Sequence, residues 1–589
     1  MRSPSLSLSV LLAALVWLLA SPSSTVAAGR SGFTCRALKN PLSMASSTCI
    51  CAPCHLCEFS FRRMQCQPML QAGADVTDGS EIRPTQPSLD PELWFLTEAE
   101  LTASRGGVPR QNVSVYTSGN EIETFVATNE YFSSLYQDIE RTAANDSVYF
   151  TGWAVANIPY EPLVDPTGAV SSVQATMQRA VARGADVRAL VWSNLLKRKD
   201  TIKVRDFLNN ELPKPAVGGP ARFVFDDRLP SISSSHHQKT VVIRRQNELI
   251  TYVGGVDMTI DRWDTVKHDQ AELRKRANIR RAYDGWVDAH LRIQGPATKD
   301  VAANFLSRWN SKVKPSQDRL DDMLDFENPE YSALPAIDAR GPLDLATRKN
   351  HHVQIARTYS CKYTHYDEYA PRGEKSILAS RLKAIRNAKN FIYIEDQYFI
   401  LVPELLQALL DVLPRLQRVI IVAQRTGNDN RITGYAKYLF QMVEPLQKQF
   451  PNKVQLYTTK KSRNLYIHSK LVIIDDVYLS MGSANWNRRS MTSDSEINAN
   501  VVDSETVVTP DNLLATRLVR DYRLRKFSEH TGKTVEELSQ MRLIDAANAL
   551  DVAANDPSTI IEVMEVQEGA TFLAFTDSVR EAVDPDEKC

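Results

Sequence analysis

One short pattern occurs twice in this chain and constrains its fold more than any other feature. His468 and Lys470 precede a β-branched apolar run at 471–474, which predicts a buried strand. His237 and Lys239 precede a similar run. Because alternate strand residues point to the same face, each histidine should project beside its lysine. An imidazole next to a fixed ammonium suits phosphoryl chemistry, since one group performs the covalent or proton step and the other offsets oxyanion charge.

The predicted elements around the two motifs follow each other in the same order. Val187 precedes His237 by almost the same number of residues as Val419 precedes His468. Matching order and spacing predict an internal duplication, with one site built across a pseudo-two-fold axis. The alternation of strands and helices predicts an α/β fold with a mostly parallel sheet covered by helices. The predicted strands are 147–155, 187–192, 222–225, 250–253, 391–394, 419–423 and 454–457, and the predicted helices are 173–182, 376–388, 403–413 and 435–450.

The residues after each motif carry a family resemblance. GSANWNRRS followed by DSE resembles the second-motif signature of eukaryotic phospholipases D, while HHQKTVV, YVGGVDM and DRWDT resemble the first. The chain is therefore similar to the phospholipase D superfamily over roughly residues 120–530. The resemblance implies two duplicated α-β-α sandwich halves. In the family each H-x-K motif continues to an aspartate that supports the fold. Asp475 occupies that position in the second motif, but Arg244 occupies it in the first. The geometry of the first half-site is therefore expected to differ.

The resemblance also implies which groups act on the diester. His237 is expected to attack phosphorus and form a phosphohistidine, and His468 to protonate the leaving alcohol and then activate water, although the two roles could be exchanged. Lys239 and Lys470 should neutralise the non-bridging oxygens, so no metal or other cofactor is expected. The predicted substrate-binding residues are Asn485 and Asp257, with backbone N–H groups near Gly482, Ser483, Gly254 and Gly255.

Each catalytic imidazole needs a carboxylate on its other ring nitrogen to hold one tautomer. By its position in the family motif, Glu496 in the pair Asp494 and Glu496 is expected to serve His468. Asp288 is expected to serve His237, because its segment resembles the sequence that precedes a Gly-Pro in the plant enzymes. The alternative is an aspartate on a helix surface or at a helix cap.

The first 28 residues resemble a secretory signal, with Arg2, an apolar run and small residues up to Ala28. An uncleaved anchor is the alternative. Export favours disulfides among the six cysteines at 35–66, although Cys51, Cys54, His55 and Cys57 would also suit a zinc knuckle. Cys361 and Cys589 could pair with each other, or Cys589 could be a free thiol. The sequons at Asn112 and Asn145 predict glycosylation.

These observations predict seven segments: a signal peptide at 1–28, a Cys-rich disulfide module at 29–70, a linker and leading loop at 71–120, the first half at 121–312 with its motif at 231–261, a linker at 313–350, the second half at 351–535 with its motif at 462–489, and a peripheral tail at 536–589. Residues 512–530 predict a basic helix with a solvated charged face; a membrane-surface role is the alternative.

The chain has 70 basic residues (lysine and arginine) and 70 acidic residues (aspartate and glutamate), so its net charge is zero. This balance argues against a broad basic surface for nucleic acid. The family resemblance implies, as the leading hypothesis, a secreted phospholipase D that hydrolyses phosphatidylcholine-like lipids to phosphatidic acid and a free headgroup, with only transient contact with a membrane surface. A secreted or lysosomal single-strand nuclease and a catalytically impaired binding protein are the alternatives. The sequence leaves the oligomeric state open.

Overall fold

The computed structural model describes residues 75–587, apart from 232, 317–318, 338–349, 364–365, 367, 426–433 and 570–576. It also gives the backbone of three antiparallel strands within the predicted Cys-rich module: β1 Thr48–Ile50, β2 His55–Ser60 and β3 Arg63–Pro68. The register places Cys57 between Cys49 and Cys66. The predicted signal peptide lies outside the described residues. Cys361 is disulfide-bonded, and Cys589, its predicted partner, is outside them as well.

Strands of both halves join in one large sheet. In the first half these are β4 Thr117–Phe125, β5 Ser147–Gly152, β6 Asp186–Trp192, β7 Phe223–Asp226, β8 Thr240–Arg245, β9 Glu248–Gly254 and β11 His290–Gln294; β10 Gly285–Val287 pairs elsewhere. In the second half they are β12 His351–Tyr359, β13 Glu374–Lys375, β14 Phe391–Asp396, β15 Arg418–Ala423, β16 Val454–Thr459, β18 Lys470–Ile474, β19 Tyr478–Gly482 and β20 Glu496–Val502. The remaining strands are β17 Leu465–Ile467, β21 Thr506–Val508, β22 Leu514–Thr516 and β23 Ile561–Val563.

The strand order shows the duplication directly. Across the sheet the order is β7-β6-β5-β8-β9-β11-β4, then β12-β20-β19-β18-β14-β15-β16, with β23 at the edge. The second series repeats the first in reverse, so a pseudo-two-fold axis passes between β4 and β12. Both H-x-K strands, β8 and β18, therefore occupy equivalent places on either side of this axis.

The expectation of a mostly parallel sheet was wrong. Only β5-β6-β7 and β14-β15-β16 are parallel series, while the strands from β5 through β14 across the axis pair antiparallel. The physical reason is the length of the connections. After each H-x-K strand only a tight turn separates β8 from β9 and β18 from β19, and such a turn permits a hairpin but not a crossover helix.

Helices cover both faces of the sheet. The first half has α3 Thr128–Glu140, α4 Val173–Ala182, α5 Arg198–Asp206, α6 Ala271–Arg276 and α7 Thr298–Trp309, preceded by α1 Pro91–Trp94 and α2 Glu98–Ala103. Then come α8 Arg319–Leu324, α9 Ser376–Asn387, α10 Pro403–Val412, α11 Tyr435–Gln449, α12 Arg488–Thr492, α13 Arg517–Thr531, α14 Val535–Ser539, α15 Leu543–Asn555 and α16 Asp577–Val583. Among the described residues, none of these helices has the length and apolarity that a bilayer crossing requires.

Three apolar clusters hold the layers together. One lies between the sheet and α7, α13 and α15 and contains strand residues of both halves. The other two lie on the opposite face, one under α3 and α4 and one under α9, α10 and α11. Leu405 and Leu409 of α10 are fully buried, and burying such a side chain contributes roughly 1.5–3 kcal/mol. Each half is thus an α-β-α sandwich, as the family resemblance implied, and they share one central layer.

Three surface expectations need correction. The predicted linker at 71–120 contains the buried Trp94, which stacks on Tyr478 of the second half with ring centroids 5.6 Å apart. The predicted peripheral tail supplies β23, which pairs antiparallel with β16. Helix α13 does not present a solvated basic face, because Arg523 and Lys526 are buried. Periodicity missed this, because Arg523 pairs with Asp476 and Lys526 with Glu395, two carboxylates from distant segments.

Candidate functional site

The His237 ring is oriented by the other half of the molecule. Its Nδ1 lies 3.0 and 3.1 Å from the two carboxylate oxygens of Glu496, and 3.0 Å from the carbonyl oxygen of Ser483. Glu496 is itself fixed, since it accepts hydrogen bonds from the hydroxyls of Ser483 and Ser490 at 2.5 and 2.7 Å. With the proton held on Nδ1, the Nε2 lone pair is available for attack on a substrate.

The His468 ring is held in the same way by the first half. Its Nδ1 lies 2.8 Å from Asp288 Oδ2. Asp288 also accepts hydrogen bonds from the Trp286 indole at 3.2 Å and from the Ala289 backbone N–H at 2.9 Å. The predicted carboxylates were thus the right residues, but their assignment to the histidines was wrong: each serves the histidine of the opposite motif. Sequence distance along one half could not show that the halves exchange these side chains across the axis.

Backbone hydrogen bonds join the halves beside the two rings. The His237 N–H donates to Ser495 O at 2.9 Å, and the His468 N–H donates to Val287 O at 2.8 Å. The first motif is also tied down by Asp494, which accepts the backbone N–H and the hydroxyl of Ser235. Each histidine is therefore fixed at its main chain and at its ring by the neighbouring half, which brings the two motifs into one site.

The two lysines have different partners. Lys239 Nζ lies 3.2 Å from the carboxylate of Asp257, whereas Lys470 Nζ donates to the neutral amide oxygen of Gln397 at 3.0 Å. Lys470 therefore lacks the close ion pair with a carboxylate that Lys239 has. The carboxylate of Asp257, a predicted substrate-binding residue, holds Lys239 and accepts the Trp153 N–H at 2.9 Å. The motif spacing alone could not reveal this asymmetry.

The glycine turns also have a different role from the expected one. The N–H groups of Gly255 and Ser483 donate to Ala289 O and Ile497 O at 2.9 Å, so neither is free for a phosphate oxygen. Gly254 and Gly482 lie in the strand ladders β9-β11 and β19-β20. Close approach explains the glycines: a Cβ on Gly255 would lie 2.1 Å from Asp288 Oδ1. These turns let the histidine-orienting residues pack closely. Asn485, which is buried, remains a candidate ligand because its Oδ1 has no hydrogen-bond partner in the described chain.

Burial and the neighbouring charges shift the ionisation of the site. Burial, together with the ammonium groups of Lys239 and Lys470, lowers the pKa of both histidines well below the usual value. Burial raises the pKa of Glu496 to about 7 and that of Asp288 to about 6. Burial also lowers the pKa of Lys470 to about 7. The site thus holds neutral imidazoles close to two lysines and to two carboxyl groups whose pKa values are raised.

The structure explains why Arg244 leaves the first motif intact. Asp475, its counterpart, accepts the backbone N–H groups of Lys389, Asn390 and Phe391 at 2.6–2.8 Å and so fixes the start of β14. In the first half the guanidinium of Arg244 donates instead to Asn145 O. Asp146, from the turn before β5, accepts the N–H groups of Ala143 and Gln246 at 2.8 Å. In the first half the carboxylate that joins the two segments therefore comes from the turn before β5 and not from the end of the H-x-K strand. The strand that follows Lys239 is held in the equivalent place.

An aromatic shelf lies beside His468. Trp286 and Tyr466 stack with centroids 4.8 Å apart, and the Trp286 ring lies 5.2 Å from the His468 ring. Arg262 was missed by the sequence analysis, although it lies in the quoted DRWDT segment. Its guanidinium lies 4.1 Å over Trp286, and its buried Nε has no hydrogen-bond partner in the described chain. Trp153 is half-buried at the site, while Trp263 and Trp486 belong to the core.

A buried ion network supports the second motif from behind. The Ser469 hydroxyl donates to Glu395 at 2.5 Å, and Lys526 of α13 lies 2.9 Å from the same carboxylate. Lys526 also contacts Glu529, which His268 of the first half approaches at 3.1 Å. Glu395, Glu529 and His530 could surround a cation geometrically, but the ammonium of Lys526 already lies against both carboxylates. The network therefore fixes the strand that presents His468.

Comparison with known protein families bears on this geometry. A family model described as "Phospholipase D" matches residues 142–406, and one described as "Cardiolipin synthase, PLD-like domain" matches residues 382–513. Together the two models span both H-x-K motifs and the strands around them. The chain belongs to the phospholipase D superfamily. Its curated relatives include eukaryotic proteins named phospholipase D, as the resemblance implied. The expected α/β fold class is confirmed.

These superfamily relatives are distant in sequence. "Phospholipase D A" of Dictyostelium discoideum is 24% identical over 489 residues, covering 70% of this chain and 35% of that protein. "Phospholipase D alpha 4" of Arabidopsis thaliana is 24% identical over 520 residues, covering 69% and 65%. "Phospholipase D alpha 1" of Cynara cardunculus is 23% identical over 583 residues, covering 75% and 70%. The chain thus spans between about a third and about two thirds of the length of these relatives.

Similar solved structures include a synthase and a phospholipase D family member. A phosphatidylserine synthase of Haemophilus influenzae aligns with a TM-score of 0.47 at 13% identity, covering 82% of this chain and 96% of that one. A phospholipase D family member, Nuc, from Salmonella typhimurium aligns with a TM-score of 0.19 at 23% identity, covering 26% and 84%.

Proposed function

We propose that this protein is a phosphodiesterase of the phospholipase D type that hydrolyses phosphatidylcholine-like phospholipids to phosphatidic acid and a free headgroup. One observation carries the proposal: two imidazoles, each with its Nδ1 on a carboxylate of the opposite half, lie in one site with two lysines. This arrangement suits in-line displacement at phosphorus. The names of the curated relatives support a phospholipid as the substrate.

In the first step His237 Nε2 attacks phosphorus, forming a P–N bond as the bond from phosphorus to the headgroup oxygen breaks. The departing oxygen takes the proton from His468 Nε2–H. Burial and the charge of Lys470 lower the pKa of His468, but the negative charge of a bound diester raises the pKa of a nearby imidazole and so makes it an acid. Lys239 and Lys470 offset the charge on the non-bridging oxygens.

In the second step the neutral His468 Nε2 accepts a proton from water, and the resulting hydroxide attacks phosphorus. The P–N bond breaks, phosphatidic acid forms and His237 regains its lone pair. An alcohol in place of water would give transphosphatidylation. The chain's own lysines supply the positive charge in both steps, and no step in this scheme requires a cofactor.

We propose further that the protein is exported and glycosylated. The signal-like sequence at 1–28, the cysteines and the two sequons support this. Asn112 and Asn145 are both exposed. Expression of the full sequence in a eukaryotic secretory host should give medium-localised protein whose mass falls after treatment with an N-glycosidase; retention of all protein inside the cells would contradict the proposal.

The decisive test is a substrate comparison with the purified protein. Phosphatidylcholine in mixed micelles and a single-stranded oligonucleotide are incubated separately with wild type and with His468→Asn. We expect choline release and phosphatidic acid from wild type only, and a phosphatidyl alcohol when ethanol is added. Cleavage of the oligonucleotide without lipid turnover would favour the nuclease alternative. Turnover of neither substrate by folded wild type would favour the impaired binding protein.

A further inference from the structure

The most exposed large apolar side chains of the described chain are concentrated at one edge of the first half. Val164, Leu196 and Met323 are 82%, 81% and 71% exposed, more than any other large apolar residue described. Exposed Leu163, Val170 and Leu195 adjoin the first two in sequence. We call these six residues the apolar rim. Soluble proteins rarely concentrate such residues without a reason, because each exposed apolar surface is costly in water.

The segments that form the rim leave the sheet side by side. The stretch 153–172 follows β5, and the stretch 193–197 follows β6, its parallel neighbour. The Asn194 amide donates to Trp153 O at 3.1 Å, and the Thr201 hydroxyl donates to Val155 O at 3.1 Å. Helix α8, which holds Met323, is attached to the second stretch because Arg198 donates to Leu324 O. The three segments therefore lie on one side of the molecule.

Hydrogen bonds to Asp165 hold the Val164 loop together. The Asp165 carboxylate accepts the backbone N–H groups of Ala169, Val170 and Ser171 at 2.7–3.1 Å. Although burial works against it, these hydrogen bonds lower the pKa of Asp165 to about 2. The carboxylate's lone pairs are thus engaged within the loop while the apolar side chains on either side of it point outward. Such a preformed loop loses little conformational entropy when it docks.

The rim is continuous with the site. Trp153, where the first stretch begins, donates its N–H to Asp257, the partner of Lys239. Lys197 lies next to Leu196, and its pKa is lowered by burial and by the charge of Arg262. The charge of Arg262 in turn lowers the pKa of His468. The stretch that carries Val164 therefore begins beside Asp257 and Lys239 of the site.

The charge next to the rim indicates what that surface is. Leu195 and Leu196 are followed directly by Lys197, Arg198 and Lys199, and Lys199 is exposed. Apolar side chains that enter the acyl boundary, flanked by basic residues at headgroup level, are the combination that binds an anionic lipid surface. We propose that the apolar rim docks this protein on anionic phospholipid membranes and delivers the substrate phosphate to His237 and His468. This inference rests on the proposed function, because it assumes that the substrate is a membrane lipid.

The docking test uses the full chain in a His468→Asn background, so that lipid is not consumed. Binding to phosphatidylcholine vesicles with and without phosphatidylserine is measured by sedimentation. The rim variant is Val164→Ser with Leu196→Ser. The matched control is Val508→Ser with Val552→Ser, two valines that are 66% and 68% exposed elsewhere. We expect the rim variant to lose about tenfold or more in vesicle partitioning, the control to lose nothing, and salt to weaken binding only to the anionic vesicles.

An activity arm separates docking from chemistry. With an active histidine restored, the rim variant should hydrolyse long-chain vesicle lipid about tenfold more slowly than wild type but should match it on a monomeric short-chain lipid. Equal behaviour of the rim and control variants on vesicles would overturn the docking proposal and leave the proposed function intact. Loss of vesicle binding in the rim variant alone, with no hydrolysis of either lipid by wild type, would uphold docking and reject the proposed function.

Discussion

The substitution Glu496→Gln tests whether a carboxylate from one half controls the nucleophile of the other. In wild type both Glu496 oxygens lie 3.0–3.1 Å from His237 Nδ1, and each also accepts a serine hydroxyl. A glutamine offers one oxygen and one N–H donor in the same volume. If the amide nitrogen faces Nδ1, the ring must take the Nε2–H tautomer and loses the lone pair that attacks phosphorus. If the oxygen faces Nδ1, one hydroxyl meets a donor instead of an acceptor.

The size of the effect follows from the tautomer. In the serine protease triad the equivalent aspartate-to-asparagine change costs about 10⁴-fold in kcat. We expect Glu496→Gln to lower kcat/KM by about 10³- to 10⁴-fold, or roughly 4–5.5 kcal/mol of transition-state stabilisation. Ser490→Ala is the matched control, because it removes one hydroxyl from Glu496 at 2.7 Å but keeps the carboxylate on His237. We expect it to cost about tenfold or less.

The assay is a single turnover on labelled lipid with acid-free quenching and detection of phosphohistidine. With His237 as the nucleophile, Glu496→Gln should slow formation of the phosphoenzyme. Asp288→Asn, which disturbs His468, should let an activated substrate phosphorylate the enzyme but should slow its hydrolysis, so that phosphoenzyme accumulates. The reverse pattern would exchange the roles of the two histidines. Glu496→Gln with more than about a tenth of wild-type activity and an unchanged unfolding temperature would refute the reasoning.

Four further predictions follow from the charges. Because burial lowers the pKa of Lys470 to about 7, its charge is lost as pH rises through that value, so activity should fall there; Lys470→Arg should move this alkaline limb upward by about one pH unit or more in a pH–rate profile. Burial opposes protonation of His268, but Asp264 and Glu529 raise its pKa to about 9. The charged ring therefore stabilises the fold by roughly 3 kcal/mol below pH 6.5, and this stabilisation is lost as pH approaches 9. The free energy of unfolding measured in urea should fall with pH over this range, and His268→Gln should abolish that fall. Arg244→Asp should destabilise by about 1 kcal/mol or more by thermal melting, despite restoring the family motif, since it places a carboxylate beside the already engaged turn at 143–146. Arg262→Gln should raise the hydrolysis of phosphatidylcholine relative to phosphatidylglycerol, because a cation beside His468 disfavours a cationic headgroup; an unchanged ratio would place the headgroup elsewhere.

Local patterns of the sequence determined much of this protein. Helix Val173–Ala182 and strand Asp186–Trp192 lie almost where apolar periodicity placed them. The helix must bury one face, whereas the strand must bury both of its faces. The two H-x-K motifs and the order of elements around them also established the duplication. His237, Lys239, His468 and Lys470 do meet in one site, as a pattern repeated on equivalent strands required.

Only the tertiary structure decided how the halves complete each other. That Glu496 orients His237 and Asp288 orients His468 follows from the packing of strands across the axis, and no spacing within one half contains that information. The same holds for Asp257, whose carboxylate neutralises Lys239, and for Lys526, whose charge is buried against Glu395. Sequence periodicity reports whether a side chain is buried, whereas the partner of a buried charge depends on which distant segments the fold brings within about 3 Å of it.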